Sequence, residues 1–303
     1  MWHKGSLGWQ IGIIGRYRKR VTERINKLIG SRFFAGYLIL LPLIHGSTPT
    51  SGPVFIADFE EGNISDMPGP QNSRRGKIEV VTTPVRAGRY AVKMYAAPGD
   101  KRTELLLRGE QWATNRGYDV WFDESKGTEY YYTFSIYVPS DFPNVRNSAV
   151  LAQWHGQNGK SAPLGLRYDG DTFSIASATQ APQHHDLKTD IPANKNGWND
   201  FVFHVLWERD NKGLLEVWRR NSAGHFVKEV EKFNVNTIDA QNGVYFKWGV
   251  YSSGDEKGRN KPRTVYLDNL IIWGPDGRQN ALDGVIDNDP PSAPRNLRVS
   301  TSS

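Results

Sequence analysis

Between residues 53 and 275 apolar and polar positions alternate in short runs rich in Val, Ile, Tyr, Phe and Trp, and clusters of Gly, Pro, Asn and Asp separate the runs. Alternation with period two puts successive side chains on opposite faces of an extended chain, so each run predicts a half-buried strand. The plainest cases are 130–138, 149–155, 200–207, 214–219, 244–251 and 264–273. Apart from the N-terminal leader, no stretch of comparable length keeps a helical period. Nor does any repeat of 20–50 residues point to a solenoid or propeller. Many antiparallel strands of this length close most economically as two packed sheets. The pattern therefore predicts an all-β domain over 53–275, a two-sheet antiparallel β-sandwich of the jelly-roll kind with one concave face.

Three runs carry reactive side chains on a single face. In 244–251, Val244, Phe246, Trp248 and Val250 fall on one side and Tyr245, Lys247, Gly249 and Tyr251 on the other. The first set reads as core, the second as a polar, aromatic platform. In 150–155, Gln153 and His155 share the face opposite Ala152 and Trp154, and in 101–105 Arg102 and Glu104 share a face. If the three strands lie in one sheet, Arg102, Glu104, Gln153, His155, Lys247 and Tyr251 meet on one surface. Taken singly, each strand would pass for a solvated sheet face. Together, in the order R-T-E-L, Q-W-H and Y-F-K-W-G-V-Y, they form a much more specific combination.

Charge changes the picture only once it is located. The chain carries 38 Lys+Arg and 32 Asp+Glu, a net of +6. Residues 1–32 hold eight bases and one acid, so taking their +7 from +6 leaves −1 for residues 33–303. No global basicity remains to drive nucleic-acid binding, and a nucleic-acid partner is not expected. After the basic stretch comes a 12-residue apolar run, 33–44, interrupted by Pro42. A spanning helix needs roughly 20 apolar residues. The layout of 1–52 thus predicts an export signal cleaved near 46–51 rather than an anchor, and a secreted or periplasmic protein without stable membrane insertion once the signal is removed. The absence of Cys excludes disulfides, thiolate metal sites and Cys nucleophiles. Residues 276–303 read as a Pro-bearing linker, running either into the first strand of a fibronectin type III module or into an unstructured tail.

The motifs R-T-E-L at 102–105, Q-W-H at 153–155 and Y-F-K-W-G-V-Y at 245–251, in that order, resemble the signature strands of the jelly-roll, concanavalin-like polysaccharide lyases. Alginate lyases carry R-[ST]-E-L, Q-[IV]-H and Y-F-K-x-G-x-Y strands. Heparin lyase I and the glucuronan lyases share the fold with similar Q-x-H and K-x-G-x-Y features. Q-W-H-G at 153–156, P-L-G-L at 163–166, G-W-N-D-F at 197–201 and V-Y-L-D-N-L at 265–270 resemble the heparin and glucuronan group more closely. Ser252-Ser253 stands where alginate lyases have Asn-Gln, and Trp248 stands in place of their small residue. The resemblance covers residues 54–275.

The resemblance implies β-elimination on a uronic-acid polymer, glucuronan or a heparin-type chain, with alginate as an alternative. It implies catalytic roles for His155, Tyr251, Arg102, Gln153 and Lys247. Tyr251 would be the acid and perhaps the base as well, with His155 as base or carboxylate binder. Glu104, on the substrate face, reads as a partner that orients Arg102 or His155, or as a cross-strand ion pair. Tyr245, Arg167, His184 and Arg259 are the further substrate-binding candidates. Tyr130 to Tyr132 are candidates to stack on sugars, and Lys261 and Arg263 to meet sulfates. His204 fits either the polar face or the core. Asp58, Glu60 and Asp268 are candidate ligands for a structural Ca²⁺, while the chemistry itself requires no cofactor. The expected partner is an anionic polysaccharide bound by a monomer. Two rivals remain: a lectin-like sandwich without turnover, and a glycoside hydrolase, which would need paired carboxylates that the motif strands do not supply.

Overall fold

The computed structural model describes residues 52–283 apart from 119, 123, 145–148, 158–160, 180–184, 239–242 and 253–259. The leader, the C-terminal tail, His184 and Arg259 lie outside the described residues. Fifteen strands follow one another: β1 (Phe55–Ala57), β2 (Gly69–Asn72), β3 (Lys77–Val81), β4 (Ala91–Ala96), β5 (Arg102–Leu107), β6 (Glu129–Val138), β7 (Ala149–Gly156), β8 (Leu164–Tyr168), β9 (Thr172–Ser177), β10 (His185–Pro192), β11 (Gly197–Leu206), β12 (Gly213–Arg220), β13 (Phe226–Val235), β14 (Val244–Tyr251) and β15 (Arg263–Trp273). Short helices α1 (Glu110–Thr114) and α2 (Arg278–Asp283) are the only α-helices among the described residues.

The strands form the two antiparallel sheets that the alternation predicts. One runs β13-β12-β11-β6-β15-β4-β3 with β1 added on β15, and the other runs β10-β9-β8-β7-β14-β5-β2. Each strand's inward set fills the space between them. Phe134 on β6 meets Phe246 and Trp248 on β14 at 5.8 and 5.9 Å, and Trp154 on β7 meets Phe203 on β11 at 4.9 Å. All five of these rings are fully buried. Aromatic contacts of this kind dominate the energetics of such a core, because each ring removes a large apolar area from water.

β5, β14 and β7 are adjacent, as the shared-face reading requires, with Tyr251 opposite Arg102 and Lys247 opposite Gln153. The alternation is broken once on β7. A register shift between Val150 and Ala152 lets both Leu151 and Ala152 join the core, so Val150 turns outward with Gln153 and His155.

Close packing on β14 demands the glycine at position 249. Its φ is +152°, and a Cβ there would lie 2.3 Å from the Thr103 carbonyl oxygen and 2.8 Å from the Glu104 Cα. Gly249→Ala is expected to push β14 off β5, costing about 1–3 kcal/mol. It should also lower turnover, because Tyr251 lies two residues on. Chemical denaturation together with a turnover assay checks this, and an unchanged denaturation midpoint would sink it.

The outer face of the eight-stranded sheet is not solvated throughout. Tyr131, Val202, Trp218 and Ala281 form a second small cluster, with Leu282 of α2 packed against it. His204 lies here, stacked on Tyr131 at 3.9 Å and held between Glu216 and Glu129 at 2.8 and 2.7 Å. It is a partnered residue of the far sheet, and the expected polar face lies on the other one. The Tyr130 to Tyr132 run is likewise structural: Tyr132 is in the main core, Tyr130 packs against it and Tyr131 is in the outer cluster.

Candidate active site

The outer face of the seven-stranded sheet holds a cleft of about 420 Å³. Arg102, Gln153, His155, Arg167 and Tyr251 line it, and Gly165 and Ala176 give its floor room by having little or no side chain. Cross-strand register orders the face into rows. Arg102, Tyr251, Val150 and Arg167 form one, and Lys247, Gln153 and Gly165 the next. Tyr245 and His155 form a third.

Glu104 is the hub. Its Oε1 accepts from Gln153 Nε2 at 2.5 Å, and its Oε2 lies 3.3 Å from Arg102 Nη1 and 3.1 Å from Lys247 Nζ. At 2% exposure it orients three neighbours without reaching into the cleft, and His155 is not among them. Lys247, expected to be catalytic, is buried beside Glu104. It is 1% exposed, and its ammonium lies 3.1 Å from Glu104 Oε2 and neutralises that carboxylate. Burial lowers the Lys247 pKa, and the adjacent Glu104 opposes the shift.

Arg102, by contrast, emerges beside the cleft. Its guanidinium also donates to Gln71 at 3.1 Å and lies 4.4 Å over the Tyr251 ring, fixing both groups at one end of the site. Arg167 faces the same row, with Asp186 3.4 Å away.

His155 shows its tautomer through its neighbour. Nδ1 lies 2.9 Å from the Gly156 carbonyl oxygen, which can only accept, so Nδ1 carries the proton and the neutral ring keeps its lone pair on Nε2. Burial is the main cause that lowers the His155 pKa below 6.5. Lys247 and Arg102 add to the shift, while the Gly156 bond and Glu104 oppose it. The ring is therefore neutral and basic at pH 7.

The three candidate Ca²⁺ ligands all make contacts to backbone N–H groups. Asp58 accepts from its near neighbour's Glu60 N–H, and Glu60 accepts from the backbone N–H groups of Arg89 and Tyr90. Asp268 accepts from those of Arg86 and Ala87. Glu60 and Asp268 hold the 86–90 turn, and no group of three or more His or acidic side chains converges among the described residues. Asp268 is fully buried, and burial pushes its carboxyl up to about 7. A group with a raised folded-state pKa adds stability that is complete below its unfolded value and is lost as pH rises through the folded one. The melting temperature is thus expected to fall between pH 5 and 8, and Asp268→Asn should flatten that slope. Parallel slopes in the two proteins would count against this assignment.

Arg263 is also displaced from its expected place. It is fully buried, and its guanidinium donates to the Asp100 carbonyl, away from any sulfate. Arg108 is a further candidate that the three motifs leave out. Carrying the period-two reading of β5 past Leu105 puts Arg108 on the face of Arg102 and Glu104, where it stands 4.2 Å over Tyr245.

Comparison with known proteins shows a family and a shared fold. A family model described as polysaccharide lyase matches residues 59–271. The endo-β-1,4-glucuronan lyase of the fungus Trichoderma reesei superposes with a TM-score of 0.57 at 18% identity, covering 74% of this chain and 96% of that one. The marine PL-14 alginate lyase of Aplysia kurodai superposes with a TM-score of 0.53 at 10% identity, covering 74% of this chain and 100% of that one. At these identities the likeness shows a shared fold. No curated protein matches the sequence.

Proposed function

Because the chain belongs to the polysaccharide lyase family, we propose that it cleaves a uronate polymer by β-elimination in the cleft over β5, β7, β8 and β14. The observation that carries this reading is His155, neutral and with its lone pair on Nε2, lining the same cleft as Arg102, Gln153 and Tyr251.

The C5 proton of a uronate is a weak acid because the adjacent carboxylate is already negative. Arg102 and the free amide hydrogen of Gln153 bind that carboxylate and stabilise the enolate that develops as the proton leaves. His155 Nε2 takes the proton. The electron pair forms the C4–C5 double bond, the C4–O bond breaks, and Tyr251 donates its phenolic proton to the departing oxygen. The products are a new chain end and an unsaturated uronate. Glu104 and Lys247 act beneath the site by holding Arg102 and Gln153 in place.

Glucuronan is the favoured substrate. The −1 net charge of residues 33–303 suits a polymer without dense sulfation, and a glucuronan lyase shares the fold. The basic, apolar leader supports action outside the cytoplasm. The test mixes purified protein separately with glucuronan, heparin, heparan sulfate and alginate and follows ultraviolet absorbance of the unsaturated product. A rise with glucuronan is expected. No rise with any of the four, with retained polymer retardation in an affinity gel, would replace this reading with a binding module.

A further inference from the structure

We propose that Arg108, clamped between Tyr245 and Trp112, binds the carboxylate of a uronate next to the one that reacts, so that the binding track continues past His155 toward α1. This rests on the uronate-lyase reading and extends its site.

The geometry is a ladder of alternating rings and cations. His155 and Tyr245 are 5.2 Å apart between ring centres. Arg108 lies 4.2 Å from Tyr245 and 5.1 Å from Trp112, and Arg116 lies 4.5 Å from Trp112 on the way out to solvent. Trp112 is itself anchored against the edge strand β2, since a Cβ on Gly69 would come within 2.9 Å of its ring.

Arg108 is the unusual member. Arg102 and Arg167 each face a carboxylate, Glu104 and Asp186, whereas among the described residues no carboxylate pairs with Arg108. Its one hydrogen-bonding side-chain partner there is the neutral Gln157, at 3.3 Å. Burial lowers the Arg108 pKa, and the positive charge of Arg116 adds to that cost. A half-buried guanidinium held by two ring faces, beside a second cation and without a counter-ion among the described residues, is prepared for an anion supplied from outside. A flat guanidinium and flanking rings match a planar carboxylate on a sugar ring, which offers an apolar face to stack and two oxygens to accept.

The experiment compares Arg108→Gln with the parent, both in a Tyr251→Phe background so that polymer is not consumed. Equilibrium binding is measured to glucuronan and to carboxyl-reduced, neutral glucuronan. Loss of a charge-assisted contact should weaken glucuronan binding about 10- to 100-fold and leave the neutral polymer unaffected. With Tyr251 intact, Arg108→Gln should raise KM for long oligomers while kcat stays within about twofold. Unchanged binding, or equal loss on both polymers, overturns the assignment. Arg116→Gln, at an exposed position, should show a smaller loss of the same selectivity, and it decides the matter if Arg108→Gln does not fold. Failure of the parent enzyme to release unsaturated product would overturn the lyase reading alone, because the binding comparison does not depend on turnover.

Discussion

Tyr251→Phe is expected to lower kcat about 10²- to 10⁴-fold while polymer binding stays within a few-fold of the parent. The substitution removes only the phenolic oxygen. It keeps the ring on which the Arg102 guanidinium lies, 4.4 Å away, so the carboxylate-binding end of the cleft retains its shape. A lectin-like sandwich would show no such separation. His155→Ala should cause a loss of similar size with a different signature. In the parent, kcat/KM should rise with pH along an acid limb whose midpoint lies below 6.5, because burial holds the His155 pKa under that value. Protonation places a proton on Nε2 and removes the base. Its loss should abolish the limb along with most of the rate. An acid limb that survives in His155→Ala would assign the base elsewhere, and a fully active Tyr251→Phe would remove Tyr251 from the chemistry.

Glu104→Ala should be the most destabilising single change on the sheet face, costing about 3–5 kcal/mol. The carboxylate compensates Lys247 at 3.1 Å and Arg102 at 3.3 Å, and it accepts from Gln153 at 2.5 Å. Lys247 is 1% exposed and cannot turn its ammonium to water without opening the strand pair. Removing Glu104 leaves that charge buried and uncompensated, so folding then favours neutral Lys247. Adding Lys247→Met should recover much of the loss, because an apolar chain of similar length needs no counter-ion. Denaturant midpoints of the single and double variants form the measurement. A single-variant cost under about 1 kcal/mol, or no recovery in the double variant, would show that Glu104 is not the hub. Turnover should drop in both variants, since Arg102 and Gln153 lose the oxygen atoms that aim them.

Much of the site was legible because strands expose their logic in one dimension. Period two alone separates Phe246 and Trp248 from Tyr245, Lys247 and Tyr251, and that division holds in the core and on the cleft face. It places Gln153 with His155 and Arg102 with Glu104 just as well. The same rule extends to Arg108, one residue past the end of β5. Val150 could not be read this way: a bulge reverses the phase of β7 between Val150 and Ala152, and nothing in the local alternation marks where it falls.

Local pattern therefore determined the all-β class, the strand positions and the sharing of a face, since each depends on neighbours one or two residues away along the chain. Depth and partnership depend on what packs from elsewhere, and only the folded sandwich decided them. Lys247 and Tyr251 have equal standing on β14 in the sequence, yet one is buried beside Glu104 while the other lines the cleft. Asp58, Glu60 and Asp268 have equal standing as candidate ligands in the sequence, and only the fold sets Glu60 and Asp268 against the backbone N–H groups of the 86–90 turn. His204 has the same local surroundings as a cleft histidine, but its strand joins the opposite sheet. A side chain's facing is written in its own strand; its neighbours across the sheet set whether its charge meets solvent, ligand or another buried charge.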